Sequence, residues 1–533
     1  MKNTITTLGQ RKDLLVLGVL VVITVAVRLP GVYNRAIWYD ESITLLETAG
    51  NAIPAWSELP TPARTQKELL VGSPSLREVA AGLRETDVHP PFYYGLLSIW
   101  RRVAGGSLET ARLFSVFWST ATIILFYLLL RRSGHQRPLV PSLVYSLASG
   151  AVHYSHEARN YSLALFFILA ASFCAYLATI LTRKNRKIFW ILSLSLALFC
   201  GLAFQTHYLA IFPVLCLLLW YAFWIPKERR LHGIPTFIVA LGLSLIGIST
   251  LAEQLGARPK QFQKELGFGQ ELWKIIDFNF EMIWNPVISS TGVYVAVIGT
   301  ISFLIVVGIF YIKSSWNAID KRIFSMMTGL AIVPSAGVLA LDLIFSKNLG
   351  KSSYVFFAGP AIVFLLTLAV GNRSDRQVEE SHSSAAGLTR IALCVLPFFI
   401  GLQLTGINFD LERTPGFAGS TLRSLTQKIE ASSPSPAVVI GAGHGRGDPA
   451  TVIYELDPDT SVCVVDRDSD VSMLGSELAS FEEIWIVFAK GRMTAAVEAS
   501  LVEVLTANEG YRVVFRAKRV AQLIKRPRAA DHR

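Results

Sequence analysis

An aspartate and a glutamate stand side by side at Asp40 and Glu41, in the stretch WYDES that follows an apolar run ending at Pro30. A carboxylate at the edge of an apolar region can accept a proton from a nucleophilic hydroxyl, which is general-base catalysis. The same pair also fits a solvated loop or the N-cap of the next helix. Its meaning therefore depends on the residues that accompany it.

Further carboxylates, imidazoles, cations and tyrosines occur in the segments between the apolar runs or at the first residue of a run. They are Asp87, His89, Tyr93, Arg112, His156, Glu157, Arg159, Tyr161, His207, Lys347, Lys351 and Tyr354. Arginine and lysine neutralise phosphate oxygens, so the set predicts a site where a carboxylate activates a hydroxyl and cations stabilise a phosphate leaving group.

Each residue also has an ordinary structural interpretation. The sequence His89-Pro90-Pro91 can simply begin a helix, because proline suits the first helical turn. Histidines in short loops are commonly structural, and Arg159 and Lys351 can serve as headgroup anchors. A divalent metal would have Glu41, His156 and Glu157 as candidate ligands, but no spacing is diagnostic of a metal site. No cofactor follows with certainty.

Composition indicates a polytopic membrane protein. Of the 533 residues, 52% are hydrophobic and 17% are charged, whereas soluble domains have about a quarter charged. The formal net charge of +11 falls largely in short clusters between apolar runs. Such clusters are typical of cytoplasmic loops, so no nucleic-acid partner is predicted.

Apolar runs near the length of about twenty residues that crosses a bilayer predict eleven spans. They lie at 14–30, 112–130, 138–152, 161–182, 188–206, 208–226, 234–252, 292–312, 323–345, 354–371 and 390–407. The segment 91–106 is too short to cross and contains Arg101 and Arg102, so we expect an interfacial helix there.

Basic clusters set the predicted orientation. If 91–106 does not cross, the clusters at 131–137, 183–187 and 227–230 share the side of the N-terminus. The positive-inside tendency then makes that side cytoplasmic. The acidic pair and the large loops 31–110 and 253–291 are expected outside an inner (plasma) membrane.

The C-terminal segment has a different pattern. Four short apolar stretches read as buried strands, and helical patterns alternate with them, which predicts a small α/β domain. The strands are expected at 436–443, 461–467, 483–489 and 511–518, and the helices at 419–432 and 495–510. The sequence therefore divides into a transmembrane domain at 1–407 and an extracytoplasmic α/β domain at 408–533.

Four motifs resemble a known family when taken in order. WYDES, DVHPPFYYGLL, ARLFSVFWS and HEARNYSLAL are similar to motifs of the bacterial relatives of protein O-mannosyltransferase and aminoarabinose-lipid A transferase, which are membrane glycosyltransferases of the GT-C type. The resemblance covers roughly residues 10 to 370. It implies a mainly helical GT-C fold and transfer of a sugar from a polyprenyl-phosphate donor to an extracytoplasmic lipid, glycan or protein.

The resemblance also implies roles for single residues. Asp40 would be the catalytic carboxylate with Glu41 beside it, and His89 would be the family's basic residue before Pro-Pro. Arg112 would be the arginine that opens the span after the interfacial helix. Separately from the resemblance, the placement of charge predicts that Arg112 and Arg159 bind the donor phosphate. The expected substrate-binding residues are Asp87, His89, Tyr93, Glu157, Tyr161, His207 and Tyr354.

The late motif of the family is matched only loosely by GKSSYVFFAGP. Tyr354 and Pro360 fit, but Ser353 stands where arginine is common. At this motif, either Lys351 or Lys347 binds the phosphate, or no residue binds it.

Two other functions remain open. A transporter or flippase of lipid-linked or small solutes is disfavoured because the predicted spans carry charge only near their external ends, at Arg28, Arg112 and Asp342. A non-catalytic scaffold in envelope glycan assembly would keep the same motifs, so the sequence alone does not separate it from an enzyme.

Overall fold

Helices make up most of the described chain, as the long apolar runs predict. The computed structural model describes residues 2–135, 137–181, 185–257, 320–345, 356–371, 420–432, 435–441, 447–466, 469–488, 494–507, 510–517 and 520–526, with the single positions 269, 270, 272, 273, 275 and 279. The chain divides into two compact units. The first contains Met1–Tyr33, Asp87–Tyr93 and Arg112–Leu411, and the second contains Asn34–Thr86, Tyr94–Ala111 and Glu412–Arg533.

The helices before the C-terminal segment include both long apolar helices and short connecting ones. They are α1 (Lys2–Ala26), α2 (Leu29–Asn34), α3 (Tyr39–Ala49), α4 (Ala63–Lys67), α5 (Leu76–Thr86), α6 (Pro91–Ala104), α7 (Leu108–Arg132), α8 (Leu139–Leu147), α9 (Ser149–His153), α10 (Tyr161–Leu181), α11 (Arg186–Thr206), α12 (Ile211–Trp224), α13 (Arg230–Ala257), α14 (Lys321–Phe345) and α15 (Gly359–Gly371).

Six helical segments among the described residues are long and apolar enough to cross a membrane, judged on length and composition. They are Asp13–Asn34, Leu108–Arg132, Tyr161–Ile180, Arg186–Thr206, Lys227–Gln254 and Lys321–Leu341. Tyr208–Trp224 and Phe356–Thr367 are shorter apolar helices. The predicted spans at 292–312 and 390–407 lie outside the described residues, so the number eleven stays a prediction.

One predicted span is wrong as a single helix. The run 138–152 forms α8 and α9, which are separated at Ala148 by an extended backbone conformation (φ −60°, ψ 133°). A break in a membrane-embedded helix leaves carbonyl groups that need donors. The buried Arg28 supplies them, since its Nη1 donates to the Ser146 carbonyl at 3.0 Å and its Nη2 donates to the Ala151 carbonyl at 3.5 Å.

The second unit contains the predicted α/β fold. Its C-terminal elements are α16 (Ser420–Ser432), β2 (Ala437–Gly441), α17 (Gly447–Glu455), β3 (Ser461–Val465), α18 (Val471–Leu478), β4 (Glu483–Phe488), α19 (Thr494–Ala507), β5 (Tyr511–Ala517) and β6 (Val520–Lys525). Strand β2 runs parallel to β3 and β4, and β6 pairs antiparallel with both β4 and β5. The four predicted strands and both predicted helices are confirmed.

Alternating side chains build a core on each face of this sheet, because successive residues of a strand point to opposite faces. One face packs against α16 and α17, and the other packs against α18 and α19. Burial on both faces explains why the central strands read as continuous apolar runs.

The predicted loop 31–110 adds a strand to the sheet. Residues Thr61–Pro62 form β1, which pairs antiparallel with Ser461 and Val462 of β3, and the strand order is β1-β3-β2-β4-β6-β5. A proline is tolerated there because β1 is an edge strand. The second unit therefore combines most of the predicted loop 31–110 with the C-terminal segment, while the predicted division at 407 stays a prediction.

The predicted orientation can be tested with a fusion. Because lysine and arginine collect in the short loops on one side, a reporter that is active only in the cytoplasm should be silent when fused after Arg533. A second fusion of the same reporter within 183–187 should be active and serves as the control. Full activity of the fusion after Arg533 would contradict the assignment of 91–106 as interfacial.

Candidate active site

The acidic pair lies in the first turn of α3, in the second unit. Trp38 is the N-cap residue, and Asp40 and Glu41 occupy the second and third helical positions. Successive residues of a helix point roughly 100° apart, because there are 3.6 residues in a turn. The two carboxylates therefore face different surroundings.

Glu41 has a local structural role. Its Oε2 accepts a hydrogen bond from the Trp38 backbone N–H at 3.4 Å, and its side chain is fully buried. A glutamate at this position satisfies a backbone donor that the helix itself leaves without an intrahelical partner. Asp40 is half-buried. The pair thus lies in the first turn of the helix rather than at its N-cap, and Glu41 stabilises the helix start while Asp40 remains the candidate base.

A second group of polar residues surrounds the turn at 87–91, in the first unit. His89 Nδ1 lies 2.8 Å from Asp87 Oδ1, and its Nε2 lies 3.2 Å from Nη2 of Arg159. Helix α6 begins at Pro91, so the interpretation of His-Pro-Pro as a helix start is also confirmed. The same residues begin a helix and hold an imidazole between a carboxylate and a guanidinium.

The contacts of His89 assign its tautomer. A guanidinium has donors and no acceptor, so Nε2 of His89 accepts from Arg159. In the neutral form of the ring, the proton then sits on Nδ1, which donates to Asp87. Arg159 is only 3% exposed. A headgroup anchor would extend into the interface, so the burial of Arg159 argues against that interpretation.

Four further residues of the first unit pack around this group. Gln254 Nε2 donates to the His89 carbonyl at 3.0 Å, and Tyr208 donates from its hydroxyl to Gln254 Oε1 at 3.0 Å. The His207 ring lies edge-on to the His89 ring, with 6.0 Å between centroids, and 5.7 Å from that of Tyr161. Residues from α10, α13 and the α11–α12 junction therefore enclose the turn.

Burial and charge set the ionisation of this group. Burial raises the pKa of Asp87, but the electrostatic attraction and hydrogen bond of His89, with the charge of Arg159, outweigh it and hold that pKa well below its usual range. Burial lowers the pKa of His207 well below its usual value, and His89 and Arg159 lower it further. Asp87 is thus ionised and His207 neutral at physiological pH.

The lowered pKa of His207 predicts a pH-dependent stability. The unfolded chain protonates this histidine below about pH 6.5 while the folded chain does not. The free energy of unfolding should therefore fall as the pH drops from 7.5 to 5.5, with a contribution from His207 of at most about 1.4 kcal/mol per pH unit. Thermal unfolding of His207→Gln in detergent should show a weaker pH dependence than the wild type. Parallel profiles for the two proteins would contradict the buried neutral state.

The segment 153–157 forms a neighbouring cluster in the first unit. His153 Nε2 lies 3.0 Å from Glu157 Oε1, and the Glu157 side chain is 2% exposed. The His156 ring packs directly over Gly31, where an added Cβ would lie only 2.4 Å from Nδ1 of the imidazole. His153 and Glu157 thus pair with each other. The His156 ring leaves no room for a side chain at residue 31 of α2, where the chain has a glycine.

The other described candidates are buried in the first unit. Arg112 is 1% exposed and donates from Nη1 to the Val32 carbonyl at 3.0 Å. Tyr93 is buried, with its ring centroid 5.9 Å from that of Phe114. Lys347, Lys351 and Tyr354 lie outside the described residues, so their places in the site stay predictions.

No metal centre is evident in the part of the chain that the structure describes. No three His, Cys, Asp or Glu side chains gather there in a way that could hold an ion. Of the candidate ligands, Glu41 caps α3, and His156 and Glu157 have the packing and pairing given above. The residues described thus give no positive indication of a metal.

Sequence reasoning missed Gln254, and it identified Glu157 without predicting that Glu157 pairs with His153. Gln254 ends a long apolar run and is fully buried, and a polar residue at a span end carries little signal by itself. His153 and Glu157 are four residues apart, a spacing that favours contact within a helical turn. That spacing was the available signal for the pair.

A comparison with protein families matches the part of the chain that contains most of this group of polar residues. The family model described as dolichyl-phosphate-mannose-protein mannosyltransferase matches residues 88–252. This region contains His89, Arg112, Arg159 and His207. No curated protein matches the chain in sequence.

Two solved structures of one bacterial protein share the fold. The crystal structure of ArnT from Cupriavidus metallidurans bound to undecaprenyl phosphate has a TM-score of 0.55 and 12% identity, covering 96% of this chain and 97% of that one. The apo structure of ArnT from the same organism has a TM-score of 0.54 and 13% identity, covering 95% and 97%. The predicted fold class is confirmed: this is a multi-pass membrane protein with a mainly helical GT-C fold and a small C-terminal sheet, similar in fold to these two structures.

Proposed function

We propose that this protein transfers a hexose or pentose from a polyprenyl-phosphate-linked donor to a hydroxyl on an extracytoplasmic lipid, glycan or protein. The observation that carries the proposal is the buried Asp87–His89–Arg159 group, which lies largely within the region matched by the mannosyltransferase family model. The fold likeness to ArnT bound to undecaprenyl phosphate supports a donor of the same chemical class.

Arg159 and Arg112 are the proposed ligands of the donor phosphate. Both guanidinium groups are buried, and a charge interaction strengthens where water is excluded. The ionised Asp87 holds Arg159 through His89, so the cation is fixed in position before the donor binds. Lys347 and Lys351 are proposed to contribute from the late spans.

The sugar would be bound beside the phosphate. We assign this role to Asp87, His89, Tyr93, Glu157, Tyr161, His207 and Tyr354. The neutral His207 and the tyrosine hydroxyls suit a sugar because they donate and accept hydrogen bonds without adding charge.

Asp40 is the proposed general base. The acceptor oxygen forms a bond to C1 of the sugar while the bond from C1 to the phosphate oxygen breaks. The acceptor proton moves to the Asp40 carboxylate, and the electron pair of the broken bond leaves with the polyprenyl phosphate. Direct displacement of this kind inverts the configuration at C1. The developing negative charge on the phosphate is stabilised by Arg112 and Arg159.

A deletion strain tests the function whichever sugar the donor carries. We expect a polyprenyl-phosphate-linked sugar to accumulate and one envelope glycan, lipid or protein to lose that sugar. Wild-type protein should restore both, and Asp40→Asn should restore neither. Full complementation by Asp40→Asn would reject Asp40 as the base, and an unchanged envelope in the deletion strain would refute the proposed transfer.

A further inference from the structure

We propose that the C-terminal α/β fold positions the helix that carries the acidic pair, with Glu455 and Thr451 as the positioning residues. This inference rests on the proposed function, in which Asp40 is the base. All the contacts that support it lie within the second unit. They connect α17 to the start of α3.

Glu455 holds the chain directly before α3. Its Oε1 accepts a hydrogen bond from the Ile37 backbone N–H at 3.0 Å. Ile37 is fully buried and precedes the N-cap residue Trp38. A hydrogen bond to a carboxylate is roughly twice as strong as one between neutral groups, so Glu455 fixes the point at which the chain enters the helix.

Thr451 holds the chain directly after the acidic pair. Its Oγ1 lies 3.0 Å from Oγ of Ser42, and both side chains are buried. Thr451 and Glu455 are four residues apart on α17, so they share one face of that helix. Their contacts at residues 37 and 42 bracket Asp40 and Glu41 from both sides.

The rest of the first loop is anchored to the same sheet. Ala63 donates its backbone N–H to the Thr460 carbonyl at 2.8 Å, and Val464 donates to the Ser57 carbonyl at 2.8 Å. Together with the β1–β3 pairing, these bonds make the loop part of the α/β fold. The position of Asp40 therefore depends on residues more than 400 positions later in the sequence.

Loss of these anchoring contacts should lower the turnover of sugar transfer. A displacement of about 1 Å can lower a rate by about 10²-fold. We expect Thr451→Val and Glu455→Ala to lower kcat by roughly 10- to 100-fold, with the KM for the lipid donor nearly unchanged. Thr451→Ser keeps the hydroxyl and Glu455→Gln keeps an acceptor oxygen, so both variants should recover most of the wild-type turnover.

Asp459→Asn is the matched control. Asp459 also joins the C-terminal segment to the first loop, through Arg64, but both side chains are largely exposed, at 75% and 64%. Exposed pairs contribute little, so wild-type kinetics are expected. Thr451→Val is nearly isosteric, which makes it the variant that should fold even if Glu455→Ala does not.

Amide hydrogen exchange gives a readout that does not need transfer. Residues 37–42 should exchange faster in Thr451→Val and Glu455→Ala than in wild type or Asp459→Asn. Unchanged exchange, or unchanged kcat with the anchors removed, would overturn the positioning role. A wild-type protein that transfers no sugar would instead overturn the proposed function, while the exchange measurement would still decide the anchoring.

Discussion

Asp40→Asn is expected to lower the turnover of sugar transfer by at least about 10²-fold, and by up to about 10⁴-fold, because general-base catalysis typically contributes that much. Asparagine keeps the shape of the side chain but does not accept the acceptor proton. Donor binding should change little, since other residues are proposed to bind the donor phosphate. Transfer and donor binding should be measured side by side on protein of equal purity.

Glu41→Gln is the control for this experiment. Its Oε1 can still accept the hydrogen bond from the Trp38 N–H, so the start of α3 should persist. We expect a small loss of thermal stability and turnover far closer to wild type than that of Asp40→Asn. Near-normal transfer by Asp40→Asn would reject Asp40 as the base, and a greater loss in Glu41→Gln would move the catalytic role to Glu41.

Arg112→Ala is expected to weaken use of the lipid donor by about 2–5 kcal/mol in kcat/KM, or roughly 30- to 5,000-fold. Arg112 is buried, and removing one partner of a desolvated charge contact leaves the phosphate without its cation. Lys351→Ala should have a smaller effect. Steady-state kinetics with the lipid donor as the varied substrate would measure both.

Arg28→Ala controls for the loss of a buried arginine. Arg28 donates to backbone carbonyls at the break between α8 and α9, so its replacement should lower thermal stability without changing the KM of the folded fraction. Arg112→Lys should keep part of the donor affinity because it keeps the charge but not the planar fork. Unchanged donor kinetics in Arg112→Ala would show that this arginine does not bind the phosphate.

The sequence allowed much of the fold to be predicted because hydrophobic pattern reflects burial. The strands of the C-terminal sheet are apolar since both of their faces are covered. The break at Ala148 was not predicted, because an apolar run shows length but not continuity. The donors that stabilise this break come from Arg28, which is 120 residues away.

The pairing of β1 with β3 was also not predictable. A strand of two residues has no periodicity, and its partner lies about 400 residues later. The position of such a strand depends on tertiary contacts rather than on local pattern.

For the candidate site, the sequence indicates which residues take part better than it indicates what each residue does. His89 and Arg159 were both expected to bind substrate, and the structure brings them into direct contact. Glu41 was grouped with Asp40, yet its carboxylate caps the helix. Side-chain direction within a helical turn separates the two residues, and sequence adjacency does not reveal that direction.

Transfer of a sugar from a lipid phosphate is tested most directly by measuring free polyprenyl phosphate, because every donor of this kind releases it. Lipids extracted from a deletion strain would supply the donor, and membranes of that strain would supply the acceptor. Purified wild-type protein in liposomes should release free polyprenyl phosphate in equal amount to the sugar gained by the acceptor, and Asp40→Asn should release almost none. Movement of the intact lipid-linked sugar across the bilayer without release of polyprenyl phosphate would contradict the account.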